Sequence, residues 1–574
     1  MPLPILHVRI LALVFAVLAS PSLVRADNVD DYIRVRMEKE HLPGLSLAVV
    51  KDGKVVKLKG YGSADLELAV PASPRTAYQV GSITKQFTAA AILILVQERR
   101  LGLDDKVGKY IEGTPDAWKD ITLRNLLTHT SGLNDGIRPA DETMFADFTE
   151  AEMLTSAMSQ PPRSPPGVKY VYGNFEYDLL AMIVEKVSGK SFGAFLQDRI
   201  FGPLGMTSSR INDRRAIIAN RASGYTWTGG HLEKCEPQVS PTLYIGSGSM
   251  ISTVEDLARW DAALYSDTIL TAASRQAMWT AARLADGTST GYGLGWEVST
   301  VKGHADVHHN GAMNGFVGNI SRFTDDRLTV IALVNQSGLS NTERISTGVA
   351  RLYIPAIRPV PHGEQAHPAK MATAALDAIA GRYEYWGNFM LTLRPGNGVL
   401  LGQLPVGEAD DYVPISAGSF WQAEDGVELT VIRNAGGDVT GLRVRQDDGG
   451  ERTIPRIGPL FSGLSPQADP DPARTQMLQS TLQLLARGGK AVDDSATIAP
   501  SAKPDFLSGT TDFHGLRSIS YVAAHDVAGP AWTRHGAEIG RVIYYRLITD
   551  HVPENLIIYL TSEGRLADYD IVDN

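Results

Sequence analysis

The chain has 574 residues, and 54 basic against 64 acidic side chains give it a net charge of −10. That acidic balance excludes a sequence-independent nucleic-acid binder, which needs a surplus of Lys and Arg to displace phosphate counterions. Hydrophobic residues at 43% and charged residues at 21% are the composition of an ordinary globular protein, while the single cysteine, Cys235, excludes an intrachain disulfide and a cysteine-cluster metal site.

Residues 1–26 carry Arg9, an apolar run from Ile10 to Ala19 and the small-residue pattern Val24-Arg25-Ala26. This reads as a signal peptide cut after Ala26, because the apolar run falls short of the roughly 20 residues that span a bilayer. The cut removes Arg9 and Arg25 and no acid, which takes the net charge from −10 to −12. The mature protein is therefore expected in the periplasm or secreted, without stable membrane insertion. Next, Gly44–Val50 and Val55–Leu58 flank Asp52-Gly53 and predict a β-hairpin.

Apolar residues at i, i+3 and i+4 predict helices over Ser82–Arg100 and Phe175–Val187. The first opens with Ser82-Ile-Thr-Lys85, whose i, i+3 spacing puts the Lys85 amine within reach of the Ser82 hydroxyl. A helix N-terminus there adds its positive dipole end and free N–H groups for a developing oxyanion. The bland reading makes Ser82 a helix cap. Tyr172-Gly173-Asn174 precedes the second helix: a phenol near a lysine can act as general base, and an amide can hold a carbonyl.

Other serines fit catalytic patterns without the context those patterns need. Ser191 and Ser289 lie in G-x-S-x-G stretches, yet neither follows a strand and opens a helix as a nucleophile elbow does. Ser191 reads as the N-cap of a helix over Ser191–Ile200, with Gly189 ending the previous one. Ser299 and Lys302 sit three apart in strand-like sequence and point to opposite faces.

Strands are predicted over Tyr292–Val301, Ala305–His309 and Leu328–Asn335, with the second ending in a turn at His309-Asn310-Gly311, where glycine allows close backbone approach. Strands at both ends of residues 27–355 imply one unit whose sheet uses both termini. On the middle strand His304, Asp306 and His308 share one face, a possible metal triad or a solvated polar face, and His309 and Gly311 share the other. Residues 356–370, rich in proline, read as a linker. Short strands with glycine turns over 371–465 predict a small β-barrel or sandwich. Residues 466–574, with a helical stripe of Leu478, Leu482 and Leu485 and four strands, predict a small α+β domain.

Taken in order, Val80-Gly-Ser-Ile-Thr-Lys-Gln-Phe-Thr88, Leu126-Leu-Thr-His-Thr-Ser-Gly-Leu133 and Tyr172-Gly-Asn174 resemble the serine β-lactamase and penicillin-binding-protein superfamily, in its class C-like branch. Gly202-Pro-Leu-Gly-Met206, Gly248-Ser-Met-Ile-Ser-Thr253 and Tyr292-Gly-Leu-Gly-Trp296 extend the resemblance over residues 28–355. It implies an antiparallel sheet flanked by helices, with a helical subdomain. The two later segments resemble a lipocalin-type barrel and an NTF2-like (cystatin-like) sheet.

The resemblance also implies roles. Ser82 is the nucleophile, Lys85 and Tyr172 move its proton, Asn174, His309 and Gly311 meet the substrate, and the N–H groups of Ser82 and Ala312 form the oxyanion hole. No metal or other cofactor is implied. The departure is His309, where carboxylate-recognising members carry lysine. A histidine is mostly neutral at pH 7, so an ester, amide or D-amino-acid peptide fits better than a β-lactam or a cell-wall peptide with a free carboxylate. A catalytically retired binding protein is the other alternative. The partners expected are a small-molecule or peptide substrate and, through the C-terminal domains, further copies of this chain.

Overall fold

The computed structural model describes residues 22–574 except 135–147, 214, 229, 236–242, 339–340, 360–370, 387–388, 405–408, 447–449, 462–463, 507–511, 514, 528–531, 550–553 and 573–574. The apolar run of the expected signal peptide and most of the expected linker lie outside the described residues. The first helix, α1 (Ser22–Lys39), runs through the expected cut, so cleavage after Ala26 would remove its first turn. Among the described residues no helix is long and apolar enough to cross a membrane.

Strands β1 (Gly44–Lys51) and β2 (Lys54–Asp65) form the expected hairpin, with Asp52 and Gly53 both at positive φ, the signature of a type I′ turn. A short β3 (Val70–Pro71) borders them. After the helices α2 (Thr84–Gln97), α3 (Phe175–Ser188) and α4 (Val254–Ala263) the chain returns to the sheet as β4 (Glu297–Val301), β5 (His304–Met313), β6 (Phe316–Phe323) and β7 (Leu328–Val334), and α5 (Thr342–Tyr353) follows. Among the described residues this is a seven-stranded sheet in the order β3-β2-β1-β7-β6-β5-β4, its neighbouring strands antiparallel. The first and last strands of the unit meet at its centre, where Leu45 pairs with Val334 and Lys51 with Leu328.

Both faces of this sheet are covered, which explains the almost unbroken apolar runs of β1 and β7. Leu45, Leu47, Val49, Val330 and Val334 pack with Val29 and Ile33 of α1 and Ile345 and Val349 of α5. The alternate residues Ala48, Val50, Ile331 and Leu333 join the larger core with Phe87 of α2 and Leu257 and Trp260 of α4. Helix α2 is buried over Thr84–Leu95, and from Ala89 to Leu95 it is apolar on all sides, as such a buried helix must be.

Two strands differ from expectation. The segment beginning at Tyr292 becomes a strand only at Glu297, because Gly295 (φ 75°) turns the chain against α2, where a Cβ would meet the Lys85 carbonyl oxygen at 2.7 Å. Strand β5 does not end at His309 but continues to Met313, since Asn310–Met313 keep pairing with β6.

Eight strands between Gly381 and Gly458 close into a barrel in chain order, filled by side chains such as Tyr383, Leu393, Phe420, Leu429 and Leu442. The barrel docks on α1 and α5 through charge: Arg36 pairs with Glu424 (2.6 Å), Lys39 with Asp410 (2.9 Å), and Arg344 with Asp410 (2.9 Å) and Asp425 (2.5 Å). The final sheet, Ser518–Asp526, Ala537–Ile548, Glu554–Thr561 and Leu566–Val572, packs on the Leu478, Leu482 and Leu485 stripe of the helix Pro472–Leu485. Its core takes in Met390, Ile457 and Phe461 from the barrel side, and fully buried Arg534 reaches Glu384 of the barrel (3.0 Å) as well as Asp568 and Asp570.

One buried ion pair ties α4 to the sheet. Asp261 accepts from Arg322 (2.7 Å) and from the Thr329 hydroxyl (2.8 Å), and the guanidinium lies 4.7 Å from the rings of both Tyr265 and Trp279. Both charged side chains have no exposed surface. Asp261→Asn strands a buried cation and is expected to cost about 3 kcal/mol in chemical denaturation, whereas the double variant Asp261→Leu, Arg322→Met recovers most of it. A single variant as stable as the parent would show that the pair does not hold α4.

Candidate active site

The segment Val80–Lys85 turns sharply before its helix. Gly81 (φ 52°) opens a 3-10 turn over Gly81–Ile83, and the α-helix begins at Thr84 rather than at Ser82. A Cβ on Gly81 would lie 2.5 Å from the Ala312 nitrogen, and one on Gly311 would lie 2.0 Å from the Val80 carbonyl oxygen and 2.9 Å from the Ser82 nitrogen. These glycines let the Ser82 turn lie against β5. The position is open because β4 pairs with β5 only as far as His308, leaving the edge of 309–313 without a strand on that side among the described residues. Gly311 is thus a contact for the Val80–Ser82 backbone. The Ser82 and Ala312 backbones come together beside the cleft.

One helical turn after Ser82, Lys85 is fully buried. Its Nζ donates to Ser82 Oγ (3.0 Å), Asn174 Oδ1 (2.8 Å) and the Ser247 carbonyl (3.0 Å). Asn174 is the N-cap residue of α3, yet its side chain makes no capping bond; the amide oxygen goes to Lys85 instead. The Lys85 Nζ also lies 4.7 Å from the centre of the Tyr172 ring, which stands at the rim, 40% exposed. Ser82, Lys85, Tyr172 and Asn174, chosen from sequence far apart, meet at one place.

The Ser247 carbonyl is a partner that the sequence reading did not assign. It is presented by a turn in which Tyr244, at the strained φ of 76°, accepts from the N–H groups of Ser247, Gly248 and Ser249. Asp178, one turn beyond Asn174 on α3, accepts from the N–H groups of Gly246 (3.0 Å) and Ser247 (3.1 Å), while Thr88 donates to the Gly246 carbonyl (2.6 Å). The i, i+4 relation of Asn174 and Asp178 was visible in the sequence; the turn they brace was not. His129, Glu176 and Tyr292 are likewise new at this site, although the phrases containing His129 and Tyr292 carried the family resemblance.

His309 is fully buried. Its Nδ1 donates to the Asn310 carbonyl (2.6 Å), which fixes the tautomer, so Nε2 accepts from the Tyr292 hydroxyl (2.9 Å). Burial lowers the imidazole to about 4, with Glu297 opposing and Lys85 adding to the fall. His309 is therefore neutral at pH 7 with both nitrogens committed inside the protein. Its neighbour His308 points to the opposite face beside Asp306 (3.3 Å) and Glu297 (3.5 Å); burial works against its charge, but these carboxylates outweigh it and hold it up at about 9. His304 bonds Asp326 (2.7 Å), and among the described residues no group of three or more His, Cys, Asp or Glu is arranged to hold a metal ion.

The cleft encloses about 180 Å³ and is lined by Ser82, Asn174, Tyr244, Ser247, Gly248, Ala312, Met313 and Asn314. None of these is cationic, and all precede the barrel. The other serine candidates lie elsewhere: Ser191 caps its helix by accepting from the Ala194 N–H, Ser289 is exposed, and Ser299 lies on β4 with Lys302 in the following turn. Cys235 is half-buried beside Ser337, and burial pushes its thiol up.

A family model described as Beta-lactamase matches residues 29–352. The chain is 30% identical over 372 residues to penicillin-binding protein 4* of Bacillus subtilis (strain 168), covering 62% of this chain and 80% of that protein. It is 32% identical over 241 residues to protein flp of Staphylococcus aureus (strain COL), covering 41% of this chain and 47% of flp, so it spans about half of flp. Among solved structures, an octameric penicillin-binding protein homologue from Pyrococcus abyssi superposes with a TM-score of 0.54 at 24% identity, covering 75% of this chain and 99% of that one. FmtA from Staphylococcus aureus gives 0.51 at 21%, covering 59% and 91%. Both structures share the fold.

The low value for His309 sets a pH dependence. An unfolded histidine titrates near 6.5, so the folded state binds fewer protons below that pH, and stability present above 6.5 is lost as pH falls towards 4. Thermal unfolding midpoints of the parent and His309→Gln should diverge least near pH 4 and most above 6.5, the parent falling more steeply between. Parallel curves would mean that His309 does not titrate in this way.

Proposed function

The chain belongs to the β-lactamase family, and from that premise we propose that it is an exported serine hydrolase forming an acyl-enzyme on Ser82. Its substrate is an ester, an amide or a D-amino-acid peptide whose acyl part carries no free carboxylate. The observation that carries this reading is the Lys85 Nζ held between Ser82 Oγ and Asn174 Oδ1, with Tyr172 beside it. Ser82 Oγ attacks the acyl carbonyl and its proton passes to the Lys85–Tyr172 pair, which returns it to the leaving group. The N–H groups of Ser82 and Ala312 take the developing oxyanion, and Asn174 positions the acyl chain. Water then attacks the ester on Ser82, with the same pair moving its proton.

The preference for a neutral acyl group follows from charge. At position 309 a neutral histidine, bonded to Tyr292 and Asn310, takes the place of a fixed cation, and the cleft lining among the described residues is uncharged. A substrate carboxylate would lose water without gaining a cationic partner there. Export rests on the basic and apolar leader of residues 1–26, with the mature chain beginning at Asp27. Assembly of several copies through the C-terminal units belongs to the same proposal.

Intact mass after brief exposure to an activated acyl ester, beside Ser82→Ala, tests this reading. The expected result is one acyl adduct on the exported chain starting at Asp27 and none on the variant, with turnover lowered by several orders of magnitude. A neutral ester should also be turned over faster than its analogue bearing a carboxylate on the acyl part. A folded protein that takes no acyl group would overturn the hydrolase and leave a binding protein on a retired site.

A further inference from the structure

Resting on the acyl-enzyme reading of Ser82, we infer that His129 is a positioning residue that holds the Tyr172 phenol in place beside Lys85. His129 follows α2 by some thirty positions and nothing in the proposed chemistry uses it, yet it is almost wholly buried directly behind Tyr172. It grips the segment that carries the phenol at three points. Its carbonyl accepts from the Val171 N–H (2.9 Å), its Nδ1 from the Gly173 N–H (3.3 Å), and its ring packs on the Tyr172 ring with centroids 4.4 Å apart. The residue between the two hydrogen-bonded amides is Tyr172 itself.

On its other side His129 is anchored to the helix that supplies Asn174. With Nδ1 acting as acceptor, its contact with Glu176 is donated by the carboxyl O–H, the other carboxyl oxygen takes the Ser131 hydroxyl, and Glu176 lies in the first turn of α3. One imidazole thus couples the two elements that flank the Lys85 ammonium, Tyr172 on one side and Asn174 on the other. Two features argue against an ordinary core histidine. The residue sits at φ 55°, a left-handed conformation that costs a non-glycine residue energy and persists where the surroundings impose it. Its Nε2 is buried without a hydrogen bond among the described residues, so the polar contacts of the ring all run through Nδ1, towards the Tyr172 segment and α3. Burial, with the positive charge of Lys85 and that of His309 when protonated, keeps the imidazole well below its usual range, so it adds no second cation beside Lys85.

The test separates orientation from folding. The full chain and two variants, His129→Gly and His129→Asn, are mixed with p-nitrophenyl acetate; the rate constant of acylation and the final acyl stoichiometry are measured together. Glycine removes the ring and relieves the left-handed backbone. Asparagine tolerates that backbone and returns an acceptor for the Gly173 N–H. The expected result is acylation about 100-fold slower for H129G and about 10-fold slower for H129N, both reaching the parent's stoichiometry, the scale of loss for a misplaced catalytic group. If H129G does not fold, the slowing of H129N decides.

A merely structural histidine would lower the final stoichiometry and leave the rate constant alone, and that outcome overturns the inference. So does a variant that reacts at the parent's rate. Failure of the parent to take an acyl group would remove the Ser82 reading and this inference with it, whereas a labelled parent with an unaffected H129G removes this inference alone.

Discussion

A fully buried ammonium group is costly unless every one of its protons finds an acceptor, and Lys85 is such a group. Its three acceptors come from three separate stretches of chain: the turn before its own helix, the N-cap of α3 and the carbonyl of Ser247. Each is in turn held by something else. Ser82 lies against β5 because Gly81 and Gly311 lack side chains, and the Ser247 carbonyl is aimed by Asp178 and by a strained turn at Tyr244. Asn174 gives up a helix cap to take part. Local stability is surrendered at several points so that one charge can be kept in a dry place beside a serine hydroxyl.

Strand β5 separates two electrostatic environments within consecutive residues. His308 faces the carboxylates of Asp306 and Glu297 and stays charged, whereas His309 faces Lys85 across the core and stays neutral. Two side chains of identical chemistry take opposite states because alternate residues of a strand point to opposite sides of the sheet. The neutral one belongs to the catalytic side, where burial, reinforced by the charge of Lys85, keeps a second cation from forming.

The sheet also decides what the later part of the chain can do. The barrel is bound to α1 and α5 by Arg36, Lys39 and Arg344, on the face that carries Leu45 and Leu47, while Ser82 and α2 belong to the other face. The described residues lining the cleft come from the segment before the barrel. The final sheet is joined to the barrel by a shared apolar core and by Arg534.

The sequence by itself determined the local features: the hairpin at Asp52-Gly53, the helix after Ser82, the end of α3 at Gly189, the stripe of Leu478, Leu482 and Leu485, and the parity that sets His309 apart from His308. These follow from backbone preference and from periods of 3.6 and 2, which are read within a few residues. The pattern of Ser82, Lys85, Tyr172 and Asn174 was legible for the same reason, since each lies beside a recognisable element boundary. Only the tertiary structure decided that Ser247 and Asp178 complete the Lys85 cage, that His129 stands behind Tyr172, that β5 runs on to Met313, and that the barrel docks behind the sheet. Each of those depends on contacts between segments distant along the chain, formed by close packing and by the need to satisfy buried charge. No short-range period encodes where such partners meet.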